Sequence, residues 1–240
     1  MARVLITGSA DGLGLAVGQR LIDQGHETVL HARSAARAEE TRRAAPGAAD
    51  VLVGDLGSDA ETHALAEAAN ASGRFDAVIH NAGVGSGGGE ALLTVNVLAP
   101  YLLTALMTRP DRLVYLSSGM HRSGRPDLAH LDRPSYGDSK LFDAALAAAV
   151  ARRWTDVRSN AVDPGWIKTR MGGAGAPGSL DEGSATQIWL ATSDDPAARV
   201  SGRYFKDLEE ERPAAGVVDE RFQDALLAAL ADRTGVPLPA

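Results

Sequence analysis

The sequence predicts an α/β fold: a doubly wound parallel sheet with helices on both faces. Three observations predict it. Short apolar runs alternate with segments of helical period along the whole chain, the pattern of strands joined by helical crossovers. The runs are continuously apolar rather than alternating, as expected of strands covered on both faces. Two glycine-rich segments, 83–90 and 171–180, each follow a predicted strand, which puts them at the carboxyl edge where open α/β sheets bind ligands.

The elements follow in order. "ARVLIT" (2–7) reads as a buried strand, and "GLGLAVGQRLIDQG" (12–25) as a helix closed by Gly25 as the residue after the C-cap. "ETVLHA" (27–32) is a second strand and 34–45 a polar helix. "DVLVGD" (50–55) is a third strand, followed by a helix over 58–72 whose Ser58 and Glu61 fit a capping box. "FDAVIHNAG" (75–83) is a fourth strand, 90–108 a helix, "RLVYLSS" (112–118) a fifth strand and 135–153 a helix. "VRSNAVDPG" (157–165) is a sixth strand ended by Pro164; a helix over 180–192, a last short strand over 202–207 and an amphipathic helix over 217–232 complete the chain. No repeat or linker interrupts the alternation, so residues 1–240 are expected to form one domain.

Composition narrows the function. The chain has 24 basic and 31 acidic residues, a net charge of −7, and 45% hydrophobic residues. An acidic balance without a basic run gives no footprint for nucleic acid or an anionic membrane. There is no cysteine, hence no disulfide frame and no thiolate metal site. The histidines at 26, 31, 63, 80, 121 and 130 lack metal-ligand spacing, so no metal is expected. His121 and His130 fall in a loop between Ser118 and Tyr136 that could face substrate, and read first as solvated loop residues. No signal peptide or membrane span is read, and a cytoplasmic location is the expectation.

Between the first strand and first helix lies "TGSADGLG" (7–14), with Gly8, Gly12 and Gly14 spaced G-x-x-x-G-x-G. Absent side chains let the backbone turn tightly and approach a pyrophosphate, while the amides of the next helix point at phosphate. The alternative is a tight turn with no ligand. The segment "SYGDSK" (135–140) sets Tyr136 and Lys140 four residues apart, neighbours on one helix face. A tyrosine with an ordinary pKa of about 10 is a poor base near neutral pH, and a nearby ammonium favours its phenolate.

These pieces resemble the short-chain dehydrogenases/reductases. The glycine spacing matches that family's TGxxxGxG, and its other motifs follow in order. They are Asp55-Leu56 after the third strand, "NAG" at Asn81–Gly83, Asn96 in "TVNVLAP", "YLSSG" with Ser117 and Ser118, Tyr136-x-x-x-Lys140, and Pro164, Gly165 and Thr169 in "DPGWIKT". The likeness runs from about residue 3 to about residue 206, and "VDPGWIKTRMGG" and "VSGRYF" resemble the retinol-dehydrogenase-like and ketoreductase branch. It implies a Rossmann-type fold and a catalytic set of Asn96, Ser118, Tyr136 and Lys140, with Ser117 as the alternative serine. Tyr136 would be the acid/base. Lys140 would favour its phenolate and bond the nicotinamide ribose, Ser118 would bond the substrate oxygen, and Asn96 would hold a relay water. The implied cofactor contacts are Gly8, Ser9, Asp11, Gly12, Leu13, Gly14, Asp55, Leu56, Asn81, Ala82, Gly83, Tyr136, Lys140, Pro164, Gly165, Ile167 and Thr169. Asp55 would meet the adenine, Asn81 the adenosine ribose, and Thr169 the carboxamide.

Cofactor choice is read from the second strand's end. Ala32 stands where NAD-preferring members carry an acid, and Arg33 follows. A guanidinium suits a 2′-phosphate, so NADP(H) is the expected cofactor, with Arg37 placed to assist. The expected activity is a hydride transfer interconverting a carbonyl and an alcohol on a small, apolar substrate. Trp166, Ile167, Met171, Leu180 and Trp189 are candidate pocket walls. A non-catalytic dinucleotide-sensing regulator on the same fold is the alternative. An extended sugar epimerase fits less well, because 240 residues leave no room for its C-terminal substrate region. The helix after Asn96 is short for a family that commonly dimerises through it, which leaves a homo-oligomer as an open expectation.

Overall fold

A computed structural model describes residues 1–240. Seven parallel strands and one antiparallel strand form a single sheet in the order β3-β2-β1-β4-β5-β6-β7-β8. The strands are β1 (Arg3–Ile6), β2 (Glu27–Ala32), β3 (Asp50–Val53), β4 (Ala77–His80), β5 (Arg112–Leu116), β6 (Arg158–Asp163), β7 (Tyr204–Lys206) and β8 (Glu209–Glu211). The helices are α1 (Gly12–Asp23), α2 (Ala35–Ala44), α3 (Asp59–Ala71), α4 (Gly88–Leu93), α5 (Ala99–Leu106), α6 (Tyr136–Arg153), α7 (Leu180–Thr192), α8 (Ala215–Val218) and α9 (Glu220–Thr234). The expected doubly wound sheet is therefore present. The strand order reverses between β1 and β4, so a crevice opens beyond their carboxyl ends.

Alternate residues of each strand feed two cores. Leu5, Val29, Val78 and Tyr115 face the layer of α3, α5, α6 and α9. Val4, Ile6, Leu30 and Ile79 face α1 and α7. Burying whole aliphatic side chains on both faces contributes roughly 1.5–3 kcal/mol each. This explains why the strands carry no polar stripe.

Several local features depart from the sequence expectations, each for a physical reason. The expected helix over 90–108 is three pieces: α4, a π-helical turn at Thr94–Leu98, and α5. Pro100 has no N–H to donate to residue 96, and its ring crowds that carbonyl, so the ladder widens there. Contrary to the expectation that no run would, Gly88–Leu106 is long and apolar enough to cross a membrane, but 67% of its most apolar stretch is buried inside the protein. The C-terminal helix begins with α8 and is re-initiated at Asp219, whose carboxylate accepts from the Arg221 and Phe222 N–H groups. The tail then crosses the outer face of α5 and α6. There Tyr101 donates to Val236 O at 2.7 Å and Trp154 Nε1 to Pro239 O at 2.8 Å.

β8 went unread in the sequence because three glutamates carry little strand propensity. It pairs antiparallel with β7 through a turn whose central residues, Asp207 and Leu208, both have positive φ, 49° and 66°, as a type I′ hairpin requires. The Leu208 N–H is held by Thr186 Oγ1 at 3.0 Å.

Candidate active site

The carboxyl edge gathers the predicted residues. Gly8 sits at φ +62°, with Ala82 so close that a Cβ would lie 2.7 Å from the Ala82 Cα. Gly14 likewise leaves room for Gly8 O and Asn81 Nδ2. Asn81 donates to Thr7 O at 2.9 Å and Gly8 O at 3.1 Å, tying the ends of β1 and β4 together. Ala82 N–H donates to Thr7 Oγ1 at 3.0 Å. Ser9 is buried and donates to Ile6 O at 2.8 Å. The N-cap residue of α1, Asp11, makes no side-chain cap bond, and the first turn of that helix contains no acid. The first-turn amides of α1 thus face the crevice uncapped by any side chain.

Across the crevice lies the loop after β6. Gly165 has φ +84°, and its N–H donates to Asp163 Oδ1 at 2.9 Å. Thr169 accepts from Gly172 N–H at 3.1 Å, and its methyl lies 3.6 Å from where a Gly12 Cβ would be. The glycine loop and the Pro164–Thr169 loop therefore face one another, with Gly12 at φ +53°, a conformation that favours glycine. Ile167 is buried and pairs with Gly178 as an isolated bridge, pinning the second glycine-rich loop. Leu13 reaches the same region from α1 and packs near Gly183. This cradle is amide-rich, and the one carboxylate at the α1 end, Asp11, is paired with Arg37 and Arg170, so it fits a dinucleotide phosphate.

The outer end of the crevice is polar. Arg33 is exposed just past β2, while Ala32 is buried. Arg37 is engaged instead, donating to Asp11 Oδ2 at 3.0 Å and to Ala10 O at 3.2 Å. Arg170 pairs with the same Asp11 carboxylate at 3.3 Å. Asp55 accepts from Gly57 N–H at 2.9 Å in a turn ahead of α3, with Leu56 buried beside it. The expected capping box at Ser58 is half formed. Ser58 accepts from Glu61 N–H, but the Glu61 carboxylate reaches Asp55 N–H instead.

The remaining predicted residues meet where β5 runs out and α6 begins. Ser135 caps α6 with a full capping box to Asp138. Burial works against the Asp138 charge, but bonds from Arg125 and Ser135 hold its carboxyl down to about 2. That box fixes Tyr136 in the first turn, half-buried. Lys140 Nζ lies 5.9 Å from the Tyr136 ring centroid and donates to Leu116 O at 2.6 Å. The two serines diverge. Ser117 is buried and donates to Lys140 O at 2.8 Å. Ser118 is half-buried, and its Oγ accepts from Met120 N–H at 3.2 Å, so its own proton stays available.

Asn96, at the centre of the π turn, is 1% exposed. It accepts from Val84 N–H at 2.8 Å and donates to Val84 O and Ser139 Oγ, both at 3.0 Å. Its side chain braces the loop after Gly83. Gly83 completes the floor, where a Cβ would stand 3.6 Å from Lys140 Nζ.

Three residues in this neighbourhood were not foreseen. His31 ties the glycine loop to β3: Gly8 N–H donates to its Nδ1 at 2.9 Å, and its Nε2 contacts Gly54 O at 2.8 Å. Burial lowers its pKa, against the Gly54 carbonyl and Asp55. The neutral ring suits both bonds. His121 corrects the expectation of a solvated loop histidine. It is 0% exposed in a 3-10 turn over Gly119–Ser123, stacks on Tyr204, and joins Ser118 O at 2.8 Å to Ala214 N–H at 3.0 Å. The third is Asp143, a buried acid whose Oδ2 lies 2.8 Å from Lys140 Nζ. A polar residue recurring at i+3 and i+7 on an otherwise apolar helix face was the available signal for Asp143. Nothing local marked the histidines. Of the candidate pocket walls, Trp166 and Met171 are exposed at the crevice mouth. Trp189 is instead partly buried and packs edge-on against Phe205 at the margin of the core.

A family model described as short chain dehydrogenase matches residues 2–177. An uncharacterised oxidoreductase of Emericella nidulans is 44% identical over 253 residues, covering 100% of this chain and 99% of its own length. Retinol dehydrogenase 14 of Mus musculus is 31% identical, over 90% of this chain and 81% of its own length. Among solved structures, an uncharacterised protein from Mycobacterium paratuberculosis superposes with a TM-score of 0.84 at 24% identity, covering 100% of this chain and 96% of the other.

Proposed function

Given that the chain belongs to the short-chain dehydrogenase family, in its retinol-dehydrogenase-like branch, and is therefore an oxidoreductase, we propose that it is an NADP(H)-dependent enzyme. As a single domain in the cytoplasm, it interconverts a carbonyl and an alcohol on a small, largely apolar substrate. The observation that carries this reading is the junction of β5 and α6. Ser118 keeps a donatable proton there, and the buried Lys140 ammonium sits 5.9 Å from the Tyr136 ring.

NADPH, when bound, supplies the hydride. Gly8, Gly12, Gly14 and the α1 N-terminus would hold its phosphates, and Gly83 and Thr169 would border its nicotinamide. Ser118 donates to the substrate oxygen, stabilising the charge that develops there. Tyr136 delivers the proton to that oxygen as general acid. Lys140 has three donors, two of them committed to Leu116 O and Asp143 Oδ2, and the third faces the Tyr136 side of the site, where the ribose would lie. Asn96 acts by holding the Val84 backbone, and so the Gly83 floor, in place. For the choice of NADP(H), Arg33 supplies the phosphate partner. Asp11, at the α1 end, is already compensated by Arg37 and Arg170, so it offers little repulsion to a 2′-phosphate.

The test is cofactor oxidation by the purified protein across a panel of aliphatic and aromatic ketones and aldehydes, with wild type and Tyr136→Phe compared. The expected result is NADPH-dependent turnover that Tyr136→Phe abolishes while NADPH binding, followed by fluorescence, stays nearly intact. Near wild-type turnover in the Phe variant would remove Tyr136 as the acid. NADPH binding with no turnover across the panel would favour a dinucleotide-sensing regulator.

A further inference from the structure

α6 carries an acid that the reading above does not use. Asp143 lies three residues beyond Lys140, and both side chains are only 5% exposed. Its Oδ2 accepts from Lys140 Nζ at 2.8 Å. With Leu116 O taking a second N–H at 2.6 Å, one donor of the ammonium is left for the Tyr136 side of the site. Asn96 cannot serve Lys140 through its amide, which is spent on Val84 and Ser139.

The groups around the pair leave Lys140 as Asp143's charge partner. On α6 itself stands Tyr136. From β5, Tyr115 faces Asp143 as a phenol held far above its ordinary range, chiefly by burial. From β4, His80 stacks on Tyr115 and is kept neutral, pushed down to about 3 by burial. His121 and Arg122 lie in the 3-10 turn after β5, and Asp163 ends β6. Arg152, where α9 meets α6, is occupied by Asp224. Burial pushes Asp143 up to about 6 against the Lys140 charge, so at pH 8 it is a carboxylate; burial works against the Lys140 charge, but Asp143 and Tyr136 outweigh it.

A lone ammonium 5.9 Å from a tyrosine ring favours the phenolate. The phenolate takes a proton and so serves alcohol oxidation. A carboxylate 2.8 Å from the same ammonium turns it into a near-neutral pair, whose field falls away faster than that of a single charge. We propose that Asp143 is a positioning residue that cancels Lys140's charge and so keeps Tyr136 a phenol, biasing the site toward carbonyl reduction. This rests on Tyr136 being the acid of the proposed function. It concerns the proton only: reduction takes hydride to the carbonyl carbon and the Tyr136 proton to its oxygen, and the phenolate left behind regains a proton from solvent.

The experiment compares the pH dependence of kcat for ketone reduction in wild type, Asp143→Asn and Asp143→Glu. Asparagine keeps an acceptor for Lys140 but not the charge, and glutamate keeps the charge. Seven residues of helix place Asp143 roughly 10 Å from Tyr136. At that range a unit charge moves a protonation equilibrium by about one pH unit at a protein-like dielectric. The alkaline limb of reduction should therefore fall about one pH unit lower in Asp143→Asn and stay near wild type in Asp143→Glu. The ratio of oxidation to reduction at pH 8 should rise severalfold in the Asn variant. A limb unmoved in a folded Asp143→Asn protein overturns the proposal. Should that variant not fold, the ultraviolet spectrum of wild type minus that of Tyr136→Phe decides: the expected result is no tyrosinate band at pH 8, and its presence overturns the proposal. Absence of any turnover by wild type would instead sink the proposed NADPH-dependent carbonyl reaction, and the difference spectrum would still report on the charge cancellation.

Discussion

Replacing Asn96 with alanine separates two roles that the side chain could play. The amide makes three bonds, to Val84 N–H, Val84 O and Ser139 Oγ, at 2.8–3.0 Å. Alanine would leave two half-buried backbone groups of Val84 without partners. Each unsatisfied buried group costs about 1–3 kcal/mol, and partial access to water places these toward the low end. A total of about 2–4 kcal/mol follows, which for a chain of this size corresponds to a Tm lower by roughly 5–12 °C. Aspartate tests the donor side. It can still accept from Val84 N–H, but it cannot donate to Val84 O, and it buries an unpaired charge. The Asp variant should be at least as unstable as the Ala variant. Thermal melts by circular dichroism, with limited proteolysis of the 83–90 loop, provide the assay. An Asn96→Ala protein melting within about 2 °C of wild type, with its loop equally resistant, would refute the bracing argument.

Three further outcomes are expected. Arg33→Ala should raise the KM for NADPH by about tenfold or more while leaving that for NADH nearly unchanged, since a charge-assisted bond is worth roughly 1.5–3 kcal/mol; equal effects on both cofactors in steady-state kinetics would count against it. Burial holds the folded-state value of His80 below its unfolded value, so the unfolded chain binds that proton more readily. Stability is then fullest above about pH 6.5 and declines as pH falls toward 3, by up to about 1.4 kcal/mol per pH unit. A His80→Gln variant should show a flatter Tm–pH curve over that window, and parallel curves would contradict it. Removing residues 237–240 takes away the carbonyl that Trp154 Nε1 uses, and should lower stability by about 1–3 kcal/mol with kcat/KM unchanged, as read by denaturant titration and initial rates.

Much of this is legible in the sequence. Apolar runs such as "RVLI" and "AVIH" announce strands because both of their faces are buried, and Gly8, Gly12 and Gly14 announce a close approach because no side chain fits there. Tyr136 and Lys140 could be paired because helical spacing is rigid. What escaped depends on distant partners. His31 and His121 carry no local periodicity; each gains its role from backbone groups at Gly8 and Gly54, or at Ser118 and Ala214. The π turn was partly visible in "NVLAP", where a proline follows an asparagine by four residues, but its consequence for Asn96 requires the fold. β8 ran against propensity altogether, held by its hairpin and by Thr186 rather than by its own side chains.

That last strand has a consequence for the behaviour of the protein in concentrated solution. An open sheet exposes a row of unpaired backbone groups along its rim, the natural template for growth into a fibre. Here the rim is Glu209, Glu210 and Glu211. A second copy docking edge to edge would set three carboxylates against three at a strand spacing of about 5 Å, on a chain that already carries a charge of −7. Arg203 and Arg122 quiet two of these carboxylates from within the same molecule, through Glu210 and Glu211, without offering that service to a neighbour. The rim thus rejects its own kind, and any strand able to extend the sheet there must bring positive charge with it.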